Sequence, residues 1–302
     1  MSVDPNVMSW YEASARQRID ALTDPHSFVE FIGPEQREVS PHLPIFDLPE
    51  QFDDGMVVGR ANIGGASIFI AAQEGRFMGG AFGEVHGAKL VGLLRAAKAM
   101  KRDVLVLFDT GGVRLQEANA GELAISEIIR AIVAARTEGV RVVGLIGGRS
   151  GCYGGGGLIA GSCSTLVVSE HGRISVSGPE VIETNKGVEE FDSADKALVW
   201  RTMGGKNRYL IGGADLFADD SVAAFRTAAT AALARTPRLD LDTMEAEQVR
   251  LQRRLDRFGN ATDAVDIWTT LGFADAAAVP GLSTDEFLQM AYGHREAADD
   301  AR

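Results

Sequence analysis

The sequence predicts an α/β protein built on a mostly parallel sheet, and three observations carry that expectation. Short apolar runs of strand length alternate with longer segments whose apolar residues recur at helical spacing. Glycine doublets stand at the junctions: Gly64-Gly65, Gly79-Gly80, Gly111-Gly112, Gly147-Gly148, Gly204-Gly205 and Gly212-Gly213, with an unbroken run from Gly154 to Gly157. The chain holds 35 glycines in 302 residues, where ordinary usage would give about 21. Such clusters mark places where backbone turns sharply or where something must approach it closely.

Taken in order, Ser9 to Thr23 reads as an opening helix ended by Asp24-Pro25. Residues 33–56 carry Pro34, Pro41, Pro44 and Pro49, so an irregular arm is expected. Met56–Ile63 and Ser67–Ala72, split by Gly64-Gly65, predict a hairpin. Ala88–Lys101 sets Leu90, Leu93, Leu94, Ala97 and Met100 on one helical face, Val104–Phe108 is a buried strand, and Glu117–Arg136 is helical by the spacing of Ile125, Ile128, Ile129, Ile132 and Val133. Arg141–Ile146 is again a strand, followed by a glycine-rich turn into Leu158–Gly161 and by extended Thr165–Ser169 and Arg173–Ser177. Beyond about residue 220 the tail is helical, with Met244, Gln248, Leu251, Leu255 and Phe258 forming a stripe. The expected organisation is a helix and arm over 1–56, a core over 57–235 and a helical segment over 236–302.

Composition removes several classes. A formal charge of −12 argues against nucleic acid, whose phosphates need a basic surface to replace their counterions. With no apolar run of about 18 residues and no signal-peptide layout at the start, a soluble cytoplasmic protein away from membranes is expected. Cys152 and Cys163 fit neither a disulfide scaffold nor a four-ligand zinc site, so no metal is expected. Gly87-Ala88-Lys89 and Gly205-Lys206-Asn207 lack the phosphate-loop spacing, and no dinucleotide fingerprint is present.

Two segments concentrate chemistry: Phe108-Asp109-Thr110-Gly111-Gly112-Val113-Arg114-Leu115-Gln116-Glu117, and Gly151-Cys152-Tyr153 leading into Gly154–Gly157 and Leu158. Each is a strand end, a glycine cluster and a helix start. Amides at a helix start have no intrahelical partner and can receive a developing oxyanion, while glycine lets a substrate reach them. Four glycines there disfavour helix by roughly 1 kcal/mol each against alanine, a cost that close packing alone has to justify. Two such turns converging would grip one thioester carbonyl oxygen from two directions.

At this point three long blocks become informative: residues 71–90 (AAQEGRFMGGAFGEVHGAKL), 107–122 (LFDTGGVRLQEANAGE) and 172–217 (GRISVSGPEVIE through GGADLF). They resemble the β subunits of biotin-independent malonate decarboxylases, and residues 15–31 are similar to the start of the wider acyl-CoA carboxyltransferase superfamily. The resemblance spans roughly residues 10 to 235. It implies a crotonase-like ββα superhelix forming a carboxyltransferase half-domain, and a γ subunit as partner. It also implies decarboxylation of a malonyl thioester carried on the phosphopantetheine-type arm of an acyl carrier protein, with no biotin and no cofactor tightly bound to this chain. By the same resemblance the oxyanion amides fall at Gly111 and Gly112 and at Gly155 and Gly156. The family's Ala-Gly-Gly pattern meets Tyr153 and four glycines here, which leaves the second donor open among Gly154, Gly155 and Gly156.

A decarboxylated thioester leaves an enolate that must be protonated, and Tyr153, Glu180 and Glu183 are the candidates beside glycine turns or a Gly-Pro corner. Each has a plainer reading, as a packing residue or a first-turn acid. His86 as a shuttle and Cys152 as a thiol are weaker candidates. Gly154, Arg114, Lys206 and Arg208 are the candidate substrate-binding residues, the last two within a basic group with Arg201 that would meet an acidic carrier or pantetheine phosphates; Lys98, Lys101 and Arg102 form another. The alternatives are a carboxyltransferase subunit of a biotin-dependent acyl-CoA carboxylase or decarboxylase, and a noncatalytic scaffold for a γ subunit and carrier protein.

Overall fold

In a computed structural model, residues 7–46, 55–236 and 238–295 are described. The order begins with α1 (Ala15–Leu22), β1 (Val29–Glu30), β2 (Met56–Ile63), β3 (Ala66–Gln73), α2 (Glu84–Met100), β4 (Val104–Phe108), α3 (Asn119–Arg136) and β5 (Val142–Ile146). There follow β6 (Cys152–Tyr153), α4 (Gly155–Gly161), β7 (Thr165–Val168), β8 (Ile174–Ser175), α5 (Pro179–Lys186), α6 (Lys196–Met203), α7 (Gly205–Leu210) and β9 (Leu216–Phe217). Four helices close the chain: α8 (Val222–Leu233), α9 (Leu241–Phe258), α10 (Ala264–Thr270) and α11 (Thr284–Ala291).

One seven-stranded sheet runs β1-β2-β3-β4-β5-β7-β9, and β6 pairs with β8 in a separate two-stranded sheet. The β1–β2 and β2–β3 pairs are antiparallel, and every pairing from β3 onward is parallel. The hairpin turn at Gly64 and Gly65 has φ of 57° and 80°, values that an L side chain adopts only at a cost. Both turn amides donate to the Asp24 carboxylate, at 2.9 and 2.7 Å, which fastens the end of α1 to the hairpin.

The parallel strands read as unbroken apolar runs because both faces are covered. From β4, Val104, Val106 and Phe108 pack with α2 and α3, while Leu105 and Leu107 pack on the other side with α1, α8 and the stacked pair Trp10–Phe225. Each such side chain, fully buried, stabilises the fold by about 1.5–3 kcal/mol. A third cluster, around Trp268, Phe273, Val279 and Phe287, assembles the C-terminal helices against Leu210.

Several boundaries shift for identifiable reasons. Helix α1 starts at Ala15, not Ser9, because Ser14 caps it and because the Ser9 hydroxyl and Tyr11 amide are taken by the Asp220 carboxylate at 2.6 and 2.9 Å. Helix α2 begins four residues earlier than its apolar stripe, at Glu84. Before α3 the chain makes a 3-10 turn at Leu115–Glu117 and then bends at Ala118. In the proline-rich arm, short 3-10 turns form at Pro34–Gln36 and Leu43–Phe46, and Pro49 lies outside the described residues. Of the stripe expected on α9 only Phe258 is buried; Met244, Leu251 and Leu255 face outward.

Candidate functional site

The two glycine turns meet. Thr110 forms a parallel bridge with Cys152, its amide donating to Gly151 O at 2.8 Å while the Tyr153 amide donates to Thr110 O at 3.0 Å. This places Gly112, at φ 133°, against Gly154, at φ 55°: a Cβ on Gly154 would stand 3.3 Å from the Gly112 Cα. The following glycines are explained by contact. A Cβ would come to 2.4 Å from Thr110 Cγ2 at Gly156, 2.6 Å from Ile125 at Gly155 and 2.6 Å from Ser175 O at Gly157. Helix α4 is wedged between α3, β8 and the first turn, and only glycine admits it.

The amides divide into two sets. Gly111 N–H donates to Gly79 O at 2.9 Å and Gly112 N–H to Thr110 Oγ1 at 3.1 Å, so both are used within the turn. Among the described residues the N–H groups of Val113, Gly155 and Gly156 meet no acceptor. Beside the first turn a cavity of about 500 Å³ is lined by Met78, Gly79, Ala81, Gly111, Val113 and Leu115. Leu115 is 88% exposed there. The chain enters α3 through Ala118 (φ 45°, ψ −129°) and α4 through Gly154 (φ 55°, ψ −129°), the same unusual backbone geometry used twice.

Sequence reading passed over the residue that fixes these turns, Asp109. Its carboxylate is buried, pairs with Arg18 Nη1 at 2.8 Å and accepts from the Ser150 amide at 2.6 Å. Gly75 and Gly148 lie so close that a Cβ on either would fall 2.7 or 2.3 Å from the carboxyl carbon. Arg18 in turn donates from Nε to Trp10 O at 2.9 Å. One ion pair thus ties three glycine loops to α1. The available signal was Arg18 itself, sharing the buried face of α1 with Ala15, Ile19 and Leu22.

The remaining candidates separate. Tyr153 is 6% exposed and its hydroxyl is buried without a hydrogen-bond partner among the described residues. Burial raises the phenol pKa; the charges of Arg173 and Arg208 oppose that rise and Glu180 adds to it. Tyr153, Glu180 and Arg208 therefore share one neighbourhood. The Glu183 carboxylate accepts from Ser193 N–H at 2.8 Å, and hydrogen bonds from the Ser193 hydroxyl and then its amide lower the Glu183 pKa. Arg114 is buried under the first turn, bonded to Glu117 at 3.1 Å and to Ala81 O at 3.0 Å. Lys206 is buried too, donating to Pro280 O and Leu282 O at 3.0 and 2.7 Å and pairing with Glu170, so it anchors the tail and offers no basic surface. Arg201 is bound bidentately by Asp263. His86 bonds Gly55 O at 2.8 Å, and Cys152 is buried with its thiol pKa pushed well up by desolvation; both are structural.

Comparison with known proteins agrees with this architecture. Residues 12–261 match the carboxyl transferase domain. The malonyl-S-ACP:biotin-protein carboxyltransferase of Malonomonas rubra is 39% identical over 94% of this chain and 95% of its own length. The propionyl-CoA carboxylase β chain of Saccharopolyspora erythraea is 28% identical, and the match covers 65% of this chain but 36% of that protein. Among solved structures, a chain of a Pseudomonas malonate decarboxylase hetero-tetramer in complex with malonate superposes with a TM-score of 0.81 at 38% identity, covering 87% of this chain and 97% of that one. A transcarboxylase 12S chain superposes with a TM-score of 0.63 at 26% identity, over 74% and 41%. The sheet order, the glycine turns and these matches together establish that the chain belongs to the carboxyl transferase domain family, with its crotonase-like fold.

Proposed function

We propose that this chain is the β-type subunit of a malonate decarboxylase, acting with a γ subunit on malonyl groups carried as a thioester by an acyl carrier protein. The observation that carries the reading is the contact between the Gly112 and Gly154 turns, which gathers unused amides at one point on a chain of the length and fold of a malonate decarboxylase subunit. The same match extends over only about a third of a propionyl-CoA carboxylase β chain. That share supports a half-site completed by a partner, as do the exposed Leu115, Leu123 and Leu158 around it. The two solved malonate decarboxylase structures it resembles are a hetero-tetramer and a hetero-dimer. An internal cytoplasmic location follows from the carrier-borne substrate, and no described helix is long and apolar enough to cross a membrane.

In the proposed reaction the pantetheine arm enters beside the Met78–Ala81 and Gly111–Leu115 walls. The thioester oxygen then faces the Val113, Gly155 and Gly156 amides. As the terminal carboxylate leaves as CO2, the electron pair of the breaking C–C bond moves toward that oxygen, and donors aimed at the developing charge lower the barrier; one such donor is typically worth about 2.7–4 kcal/mol. Gly111 and Gly112 contribute by keeping the approach clear of side chains, their own amides being engaged. The enolate carbon is protonated to give the acetyl thioester, and our candidate for the donor is Glu180, exposed and within electrostatic reach of Tyr153.

A second reading has its own support: the Malonomonas rubra relative is named as a biotin-protein carboxyltransferase, so the carboxyl group would pass to biotin in place of release. Incubating the assembled complex with malonyl-acyl carrier protein, with and without avidin, separates the two. CO2 release indifferent to avidin supports decarboxylation without biotin; turnover that requires a biotin protein and stops with avidin overturns it. If partner assembly persists and neither turnover is seen, the chain is a scaffold.

A further inference from the structure

The first turn carries a pair of opposite charges inside the protein. The side chains of Arg114 and Glu117 are fully enclosed and meet at 3.1 Å. A buried ion pair adds little to stability, because desolvation of both ions offsets most of their attraction, and apolar residues of similar volume often hold a fold as well. What such a pair does supply is direction, since a guanidinium donates along a rigid planar fork.

The remaining bonds of the pair run to one short segment. Arg114 Nε donates to Ala81 O at 3.0 Å, and Glu117 Oε2 accepts the Glu84 amide at the start of α2. Residues 81–84 are thus held at both ends. Gly83 lies so close beneath that a Cβ would fall 2.6 Å from Arg114 Nη1 and from Glu117 Oε2. Between the two ends sits Phe82, fully buried, its N–H donating to Gly112 O at 2.8 Å and its carbonyl accepting the Arg114 amide at 2.9 Å. This is a parallel bridge between Phe82 and Val113, in which Val113 turns its own N–H to the opposite side. Among the described residues that amide meets no acceptor. Val113 also touches the second turn: a Cβ on Gly155 would stand 3.1 Å from Val113 Cγ2.

We infer that Arg114 and Glu117 are positioning residues: their ion pair fixes residues 81–84, and through Phe82 it sets the direction in which Val113 N–H points. In the reaction proposed above, on which this catalytic half rests, that amide is one of the donors to the thioester oxygen. Any change that lets Phe82 move swings the donor away from the developing charge. Arg114 therefore serves the site by holding its backbone, not by binding the malonyl group.

The test compares the full chain with two variants. Arg114→Met with Glu117→Gln removes both charges while Gln keeps an acceptor for the Glu84 amide; Arg114→Lys keeps the charge and loses the fork, and it alone decides if the double variant does not fold. In the chain by itself, amide hydrogen exchange across residues 111–114 should quicken by about ten-fold, with β4 and β5 as protected as before. In the complex assembled with its γ-type partner and supplied with malonyl-acyl carrier protein, kcat should fall by about ten- to a hundred-fold while KM moves less than about three-fold, because the misaimed donor matters most where charge develops. Unchanged exchange in Arg114→Lys overturns the inference. So does a lowered melting temperature with wild-type kcat, the mark of a purely structural pair, and so does a loss confined to KM, the mark of a substrate-binding arginine; both leave the function standing. If the wild-type complex assembles and releases no CO2, the function is refuted, and quickened exchange in the variants still upholds the hold of the pair on the turn.

Discussion

At the scale of single residues, the two turns depend on contacts that tolerate almost no added volume. Gly156→Ala would drive a methyl into Thr110, so the turn must shift; turnover of the assembled complex is expected to fall by about a hundred-fold, the size of a lost oxyanion donor, with partner binding in a pull-down retained. Gly92, in α2, has nothing within 4 Å of a built Cβ, and there alanine should raise stability by about 0.5–1 kcal/mol in urea unfolding. Asp109→Ala leaves Arg18 buried without its partner, a loss of about 3–5 kcal/mol in the same measurement. Tyr153 brings a pH dependence. Its phenol pKa is raised by burial, so its contribution is fully present below pH about 10 and is lost as pH rises through the elevated folded value. Tyr153→Phe should therefore flatten the alkaline fall of an unfolding-versus-pH curve.

At the scale of elements, the cap of α10 is joined to α6 by three bonds from Arg201 to Asp263, at 2.8 Å to Oδ1 and at 2.7 and 3.0 Å to Oδ2. Arg201 holds the Asp263 carboxyl below the usual aspartate range. The folded pKa is depressed, so this contribution is present above pH about 3.9 and is lost as pH falls through the lower folded value; Asp263→Asn should remove that part of the acid transition. Hydrogen exchange at α10 is the direct readout. Strands β2, β4 and β5 were legible because burial on both faces demands continuous apolar runs, and α2 and α3 because one face of each is solvated. The short β6 was not, since two residues carry no period, while β8 falls inside the extended Arg173–Ser177 that the sequence predicts. The start of α3 was hidden by a bend at Ala118 that no propensity encodes, and the outward face of α9 looked like a core stripe because periodicity reports amphipathicity without saying what covers it. At the site, glycine clustering exposed both turns. Which amides remain unused depended on Gly79 O, which only tertiary structure brings near, and on the rotamer that turns the neighbouring Thr110 Oγ1 toward Gly112.

At the scale of the whole molecule, two groups among the exposed apolar side chains matter most here: Leu115, Leu123 and Leu158, on or near the helix entrances of the two turns, and Leu241, Met244, Val249, Leu251 and Leu255 on α9. On the proposed function, co-expression with a γ-type partner should raise the soluble yield, and substituting serine for Leu115 and Leu158 should weaken that assembly without lowering the melting temperature of the chain alone. The Ala118 and Gly154 geometries point to something about the chain's construction. Two helix entrances set to the same dihedral pair are interchangeable joints, as expected of a superhelix grown by reusing one strand-turn-helix module. In one copy the joint is glycine and free of strain; in the other it is alanine and holds about 1–3 kcal/mol in reserve beside the site. The two halves of the grip thus differ in stiffness, and Ala118→Gly is the change that would make them alike.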